Sequence, residues 1–158
     1  MHIHIIYLLW GNDWSLPGCT QTNVDCYPLK WKTVSEYYED GGVDWQVYEN
    51  IISYGITNQW GFFEQFQEAE VGSSLYNRGV AFNQNNTLDA VYVRAANGTL
   101  PTVSWIMPPL YLSEHAPNTL IDGVWFQKNV IEAVVNGAAY NETAIFITYD
   151  GDIFYSFS

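Results

Sequence analysis

Basic side chains are scarce in this chain. Five Lys and Arg stand against seventeen Asp and Glu, for a formal charge of −12. Such a chain is repelled by phosphate backbones and anionic head groups unless a local cation intervenes, which excludes nucleic acid as a partner. A phosphorylated small substrate stays open, because a bound divalent metal reverses the local field. Long apolar runs are missing too. None approaches the roughly 20 residues that a membrane-spanning helix needs, so no transmembrane segment is expected. There is no nucleophile elbow around a serine, no phosphate-cradling glycine loop and no Cys/His zinc spacing. Internal repeats and low-complexity stretches are likewise absent.

Aromatic residues, by contrast, are plentiful at 17%, seven of them Trp, and apolar residues reach 48%. That composition excludes disorder, and 158 residues suffice for one domain with a core but not for two. The two cysteines, Cys19 and Cys26, lie in a Gly/Thr/Asn loop and suit either a small disulfide-closed loop or two free thiols. Asn85, Asn97 and Asn141 each begin an Asn-x-Thr acceptor pattern, a mild sign of secretion. The opening residues 1–10 are apolar but carry no basic n-region and no small-residue cleavage site, so they read as a buried strand rather than a signal peptide.

Further strands are expected over residues 43–48, 102–107 and 144–149, the last fully buried. Helices are expected after Thr33, where Thr33 and Glu36 form a capping box and Gly41-Gly42 a stop, over residues 59–70, from Thr87 to a stop at Gly98, and from Asp122 to Gly137. In the last of these, Val124, Lys128, Ile131 and Val135 share one side. Apolar strands alternating with helices predict an α/β fold, a parallel sheet with helices on both faces.

Ligands of open parallel sheets bind beyond the carboxyl ends of the strands. There the chain places Glu49-Asn50, then Ser113-Glu114-His115 after Pro108-Pro109, then Asp150-Gly151-Asp152. Carboxylates at such an edge are hard ligands for a divalent cation, and a histidine beside them contacts phosphate oxygens or moves a proton. The plain alternative for the carboxylates is helix capping or turn formation. His2 and His4, two apart on the first strand, are read as solvent-facing. Trp60, Phe62, Phe63 and Phe66 are read as core packing rather than as a lipid-facing surface.

An ordered series of motifs goes further. Gly18-Cys19-Thr20-Gln21-Thr22, Cys26-Tyr27-Pro28-Leu29-Lys30-Trp31, Glu36-Tyr37-Tyr38-Glu39-Asp40, Trp45-Gln46-Val47-Tyr48 and Phe63-Glu64-Gln65-Phe66-Gln67 come first. Gly98-Thr99-Leu100-Pro101, Val103-Ser104-Trp105-Ile106, Ser113-Glu114-His115, Asp122-Gly123 and Thr148-Tyr149-Asp150 follow. Over residues 18–150 this resembles the fungal branch of the phosphoesterase family, which holds non-haemolytic phospholipases C and acid phosphatases. The resemblance implies a single, partial, alkaline-phosphatase-like domain over residues 1–158, secretion, and metal-dependent hydrolysis of a phosphoester or phospholipid. By the same resemblance, His115 contacts the phosphoryl oxygens beside Glu114, and Asp150 binds a divalent metal, with Asp152 as a shifted second acid. The family's Glu-Asn-Arg metal motif and hydroxyl nucleophile segment find no match here, Gly151 replaces an acid, and residues 153–158 depart from the family pattern. These departures predict a truncated member without turnover of its own. The alternative reading is an inactive remnant or binding domain that keeps the fold.

Overall fold

The structure is a computed structural model. It describes residues 29–49, 58–81, 87–114 and 117–149, and residues 2–8 by their backbone alone. Four parallel strands form one sheet in the order β2-β3-β1-β4: β1 (His2–Leu8), β2 (Trp45–Tyr48), β3 (Val103–Ile106) and β4 (Thr143–Tyr149). β1 is central, pairing Ile3 with Val103 on one side and with Ala144 on the other. The opening segment is therefore a strand, as its pattern predicts.

Each face of β2 and β3 carries its own core. Trp45, Val47, Val103, Trp105 and Met107 pack with Trp60, Phe66 and Val80. The alternate residues Tyr48 and Ile106 pack with Val91 and Ala95 of α3 (Thr87–Asn97) and with Phe126, Val130 and Val134 of α4 (Leu120–Val135). All eight residues of these two strands are buried, because both faces are covered. The α/β fold with helices on both faces is thus the one the alternation predicts.

α1 (Val34–Asp40) begins at Thr33, whose backbone N–H donates to the Glu36 carboxylate at 2.7 Å, and ends at Gly41. Gly42 follows at φ 64°, a left-handed conformation natural to glycine. α1 is tied to the first core by two indoles: Trp60 Nε1 donates to Ser35 Oγ at 2.6 Å, and Trp45 Nε1 to Glu39 Oε1 at 2.7 Å.

Three expectations need correction. The helix expected over residues 59–70 is broken. A 3-10 turn, Gln59–Phe62, is capped by Asn58, then Phe63 is extended and bridges Leu29, and only α2 (Glu64–Gln67) is α-helical. The Glu64 N–H donates to the Leu29 carbonyl, so tertiary pairing overrides the helical pattern. Trp60 and Phe66 are nevertheless core residues, as expected, while the Phe62 side chain lies outside the described residues.

α4 starts at Leu120, two residues before Asp122 and just after the Thr119 cap, and it buries Gly123, Phe126, Val130 and Val134. Of the expected stripe only Ile131 packs against this core, while Val124 is 58% and Val135 41% exposed. β4, finally, is an edge strand among the described residues and is not fully buried: Phe146, Ile147 and Tyr149 are all exposed.

Candidate active site

Beside β1, three chain segments reach the carboxyl edge of the sheet. β2 runs into Glu49, which is buried. β3 runs through buried Met107, Pro108 and Pro109 into a 3-10 turn, Leu110–Leu112. Leu112 packs on the α3–α4 core and so fixes where Ser113 and Glu114 emerge. β4 ends at Tyr149.

Glu114 is held in an unusual way. Its φ is 61°, left-handed for a residue with a Cβ, and among the described residues it alone combines a side chain with positive φ. Such geometry persists only where the surroundings enforce it. The enforcing partner is α4, whose Gly123 leaves a gap that the Glu114 side chain fills: a Cβ on residue 123 would fall 1.9 Å from Glu114 Cγ.

One turn further along α4, Gln127 Nε2 donates to Glu114 Oε1 at 3.0 Å. The same nitrogen donates to the Tyr149 hydroxyl at 2.6 Å. Burial of the half-covered Glu114 carboxyl pushes its pKa above the ordinary 4.5.

Residues 114 and 149, far apart in sequence, therefore meet through one amide at the carboxyl edge, the place expected for ligand binding. Of the residues singled out in the sequence, Glu114 is at this point. His115, Asp150, Asp152, Cys19, Cys26 and Asn85 lie outside the described residues, as do the side chains of His2 and His4. Asn97, the last residue of α3, and Asn141, in a 3-10 turn before β4, are both exposed.

Sequence reasoning missed Gln127 and the part played by Gly123. A glycine inside an amphipathic helix costs about 1 kcal/mol against alanine and hints at a close approach. Nothing in the sequence marks Gln127. Among the described residues no three of His, Cys, Asp and Glu converge to hold a metal. The described carboxylates alone do not fit a hard cation that takes six or more oxygens.

Two other concavities lie on the α1 side of the sheet. One, of about 250 Å³, is lined by Trp31, Trp60, Phe63 and Trp105. The other, of about 710 Å³, is charged, with Lys30 paired to Glu64 and Lys32 to Asp40. Neither gathers a nucleophile with a base. Among the described residues no helix is long and apolar enough to cross a membrane.

An open parallel sheet covered by helices on both faces defines an α/β protein, with a carboxylate, an amide and a phenol meeting at its carboxyl edge. The chain belongs to the phosphoesterase family, whose model matches residues 15–155. It is 32% identical over 170 residues to the non-hemolytic phospholipase C of Burkholderia pseudomallei, covering 91% of this chain and 24% of that protein. It is 30% identical over 158 residues to phospholipase C B of Mycobacterium tuberculosis, covering 90% of this chain and 30% of that protein. A third relative, the non-hemolytic phospholipase C of Pseudomonas aeruginosa, is 30% identical over 122 residues, covering 76% and 17%. The chain thus spans less than a third of the length of these relatives, all three bacterial.

Proposed function

We propose that the chain is a single, partial domain of a metal-dependent phosphoester hydrolase of the phospholipase C type, and that the carboxyl edge of its sheet is where the phosphoryl group binds. The observation that carries this reading is the meeting of Glu114 and Tyr149 through Gln127. Their chain neighbours are His115 and Asp150, the two residues to which the family resemblance gives phosphate contact and metal binding. In this reading Glu114 and His115 face the phosphoryl oxygens. Asp150, with Asp152 as the shifted second acid, supplies oxygen ligands to a divalent metal. A bound divalent cation also explains how a chain of charge −12 accepts a phosphorylated substrate.

A phospholipid or other phosphodiester is favoured over a monoester, because relatives matching three quarters or more of the chain are named phospholipases C. Acid-phosphatase activity and the fungal branch of the family are the competing finer assignments. Secretion fits a Cys19–Cys26 disulfide and glycosylation at Asn85, Asn97 and Asn141, and an intact-mass measurement after secretion from a eukaryotic host tests both.

The deciding experiment titrates pure protein with inorganic phosphate, with and without added zinc, manganese or calcium. A chromogenic choline phosphodiester and a phosphomonoester are assayed beside it. The expected result is phosphate binding that requires metal and is weakened by His115→Ala and Asp150→Ala, with any turnover favouring the diester. A folded chain that binds neither metal nor phosphate would overturn the reading and leave an inactive remnant or binding domain. Preference for the monoester would replace phospholipase by phosphatase.

A further inference from the structure

Gln127 spends both of its amide protons at the carboxyl edge. A glutamine side chain has one NH2 group with two donors. One reaches Glu114 Oε1 at 3.0 Å and the other the Tyr149 hydroxyl oxygen at 2.6 Å. A phenol that accepts from an amide keeps its own proton free to donate in another direction. Tyr149 ends β4 and is 49% exposed, so that direction opens at the edge where the strands stop. Glu114 cannot release Gln127 by turning away cheaply, since its side chain is seated in the gap over Gly123 with its backbone at φ 61°. The amide is therefore anchored on one side and orients the phenol on the other.

We propose that the Tyr149 hydroxyl is a hydrogen-bond donor to a phosphoryl oxygen bound at this edge, and that Gln127 is the positioning residue that turns it outward. The proposal rests on the phosphoester reading and extends it by a contact residue on β4 and by the α4 side chain that aims it. A donor to a charged oxygen is worth more than one between neutral groups, and an anion at this edge of an acidic chain needs every donor available.

Tyr149→Phe removes the donor together with the bond that the hydroxyl accepts from Gln127. Gln127→Met keeps the length of the side chain without adding charge but offers the phenol no amide donor, so the hydroxyl is no longer turned outward. Each variant is titrated with inorganic phosphate in the presence of the metal that supports wild-type binding, and thermal unfolding is followed alongside. Each is expected to weaken phosphate binding by roughly tenfold, the range for one charge-assisted hydrogen bond partly open to water. The double variant is expected to be no weaker than Tyr149→Phe alone. A purely structural Gln127 would lower the unfolding temperature and leave phosphate affinity unchanged, or add its effect to that of Tyr149→Phe. Either result overturns the positioning role. Unchanged affinity in Tyr149→Phe, with the wild type binding phosphate, overturns the contact while the phosphoester reading stands. A wild-type chain that binds no phosphate with any metal sinks both.

Discussion

The Glu114 side chain stands where a β-carbon on residue 123 would have to be: Cγ would lie 1.9 Å and Oε1 2.3 Å from it. The loop after β3 and the first turns of α4 thus fit together only because residue 123 is glycine. Gly123→Ala must displace Glu114 or shift α4, and overpacking of this kind costs about 1–3 kcal/mol. The cost should shrink in a Glu114→Ala background, where the gap is empty. Urea unfolding of the two single variants and the double variant measures it. Equal cost of Gly123→Ala in both backgrounds would mean that the clash is with something other than Glu114.

Burial also makes the Glu114 carboxyl sensitive to pH. Its folded-state pKa is raised above the ordinary 4.5, so the charged form is disfavoured by folding. The sign follows: the stability linked to this group is fully present below about pH 4.5 and is lost as pH rises through the folded-state pKa. Glu114→Gln removes that loss while keeping an acceptor for Gln127. The variant should gain stability on the wild type as pH climbs from 4.5 towards neutrality, and the difference should close below 4.5. Thermal unfolding of both proteins across that range checks it, and a difference independent of pH would contradict the assignment.

Buried polar pairs on the opposite face make a sharper demand. Ser35 is fully buried and its Oγ accepts the Trp60 indole N–H at 2.6 Å. Ser35→Ala leaves that donor buried without this partner, which costs about 1–3 kcal/mol. Trp60→Phe removes the donor but leaves a void beside Trp105, whose ring centroid is 5.2 Å away. In a Trp60→Phe background Ser35→Ala should be nearly neutral. A full additive cost in denaturant unfolding would show that the hydroxyl serves another group.

How much of this was legible in the sequence depended on whether the deciding contacts were local. α1 could be read from Thr33, Glu36 and Gly41-Gly42, and the end of α3 from Gly98, because caps and left-handed glycines act within a few residues. The helix over residues 59–70 failed at Phe63, whose extended backbone is fixed by pairing with the distant Leu29. In α4, Val124 and Val135 compete with Phe126, Val130 and Val134, and only the position of the sheet decides which stripe is buried. The carboxyl-edge site was legible in outline, since strand ends in a parallel sheet point one way. Gln127 was not, because its meaning lies in two partners thirteen and twenty-two positions away.

β4 carries the last expectation. Thr143–Tyr149 has neither charge nor proline, lies at the edge of the sheet that the described residues form, and leaves Phe146 51% and Ile147 39% exposed. An uncharged, apolar edge strand is a template for pairing with another chain, and lysine is the usual guard against it. Ile147→Lys should therefore lower light scattering of concentrated protein while changing stability by no more than about 0.5 kcal/mol, as for an exposed position. A large loss of stability with unchanged scattering would show Ile147 to be covered in solution, and would place the association-prone surface elsewhere, with the outward stripe of α4 at Ile121 and Trp125 next to be tested.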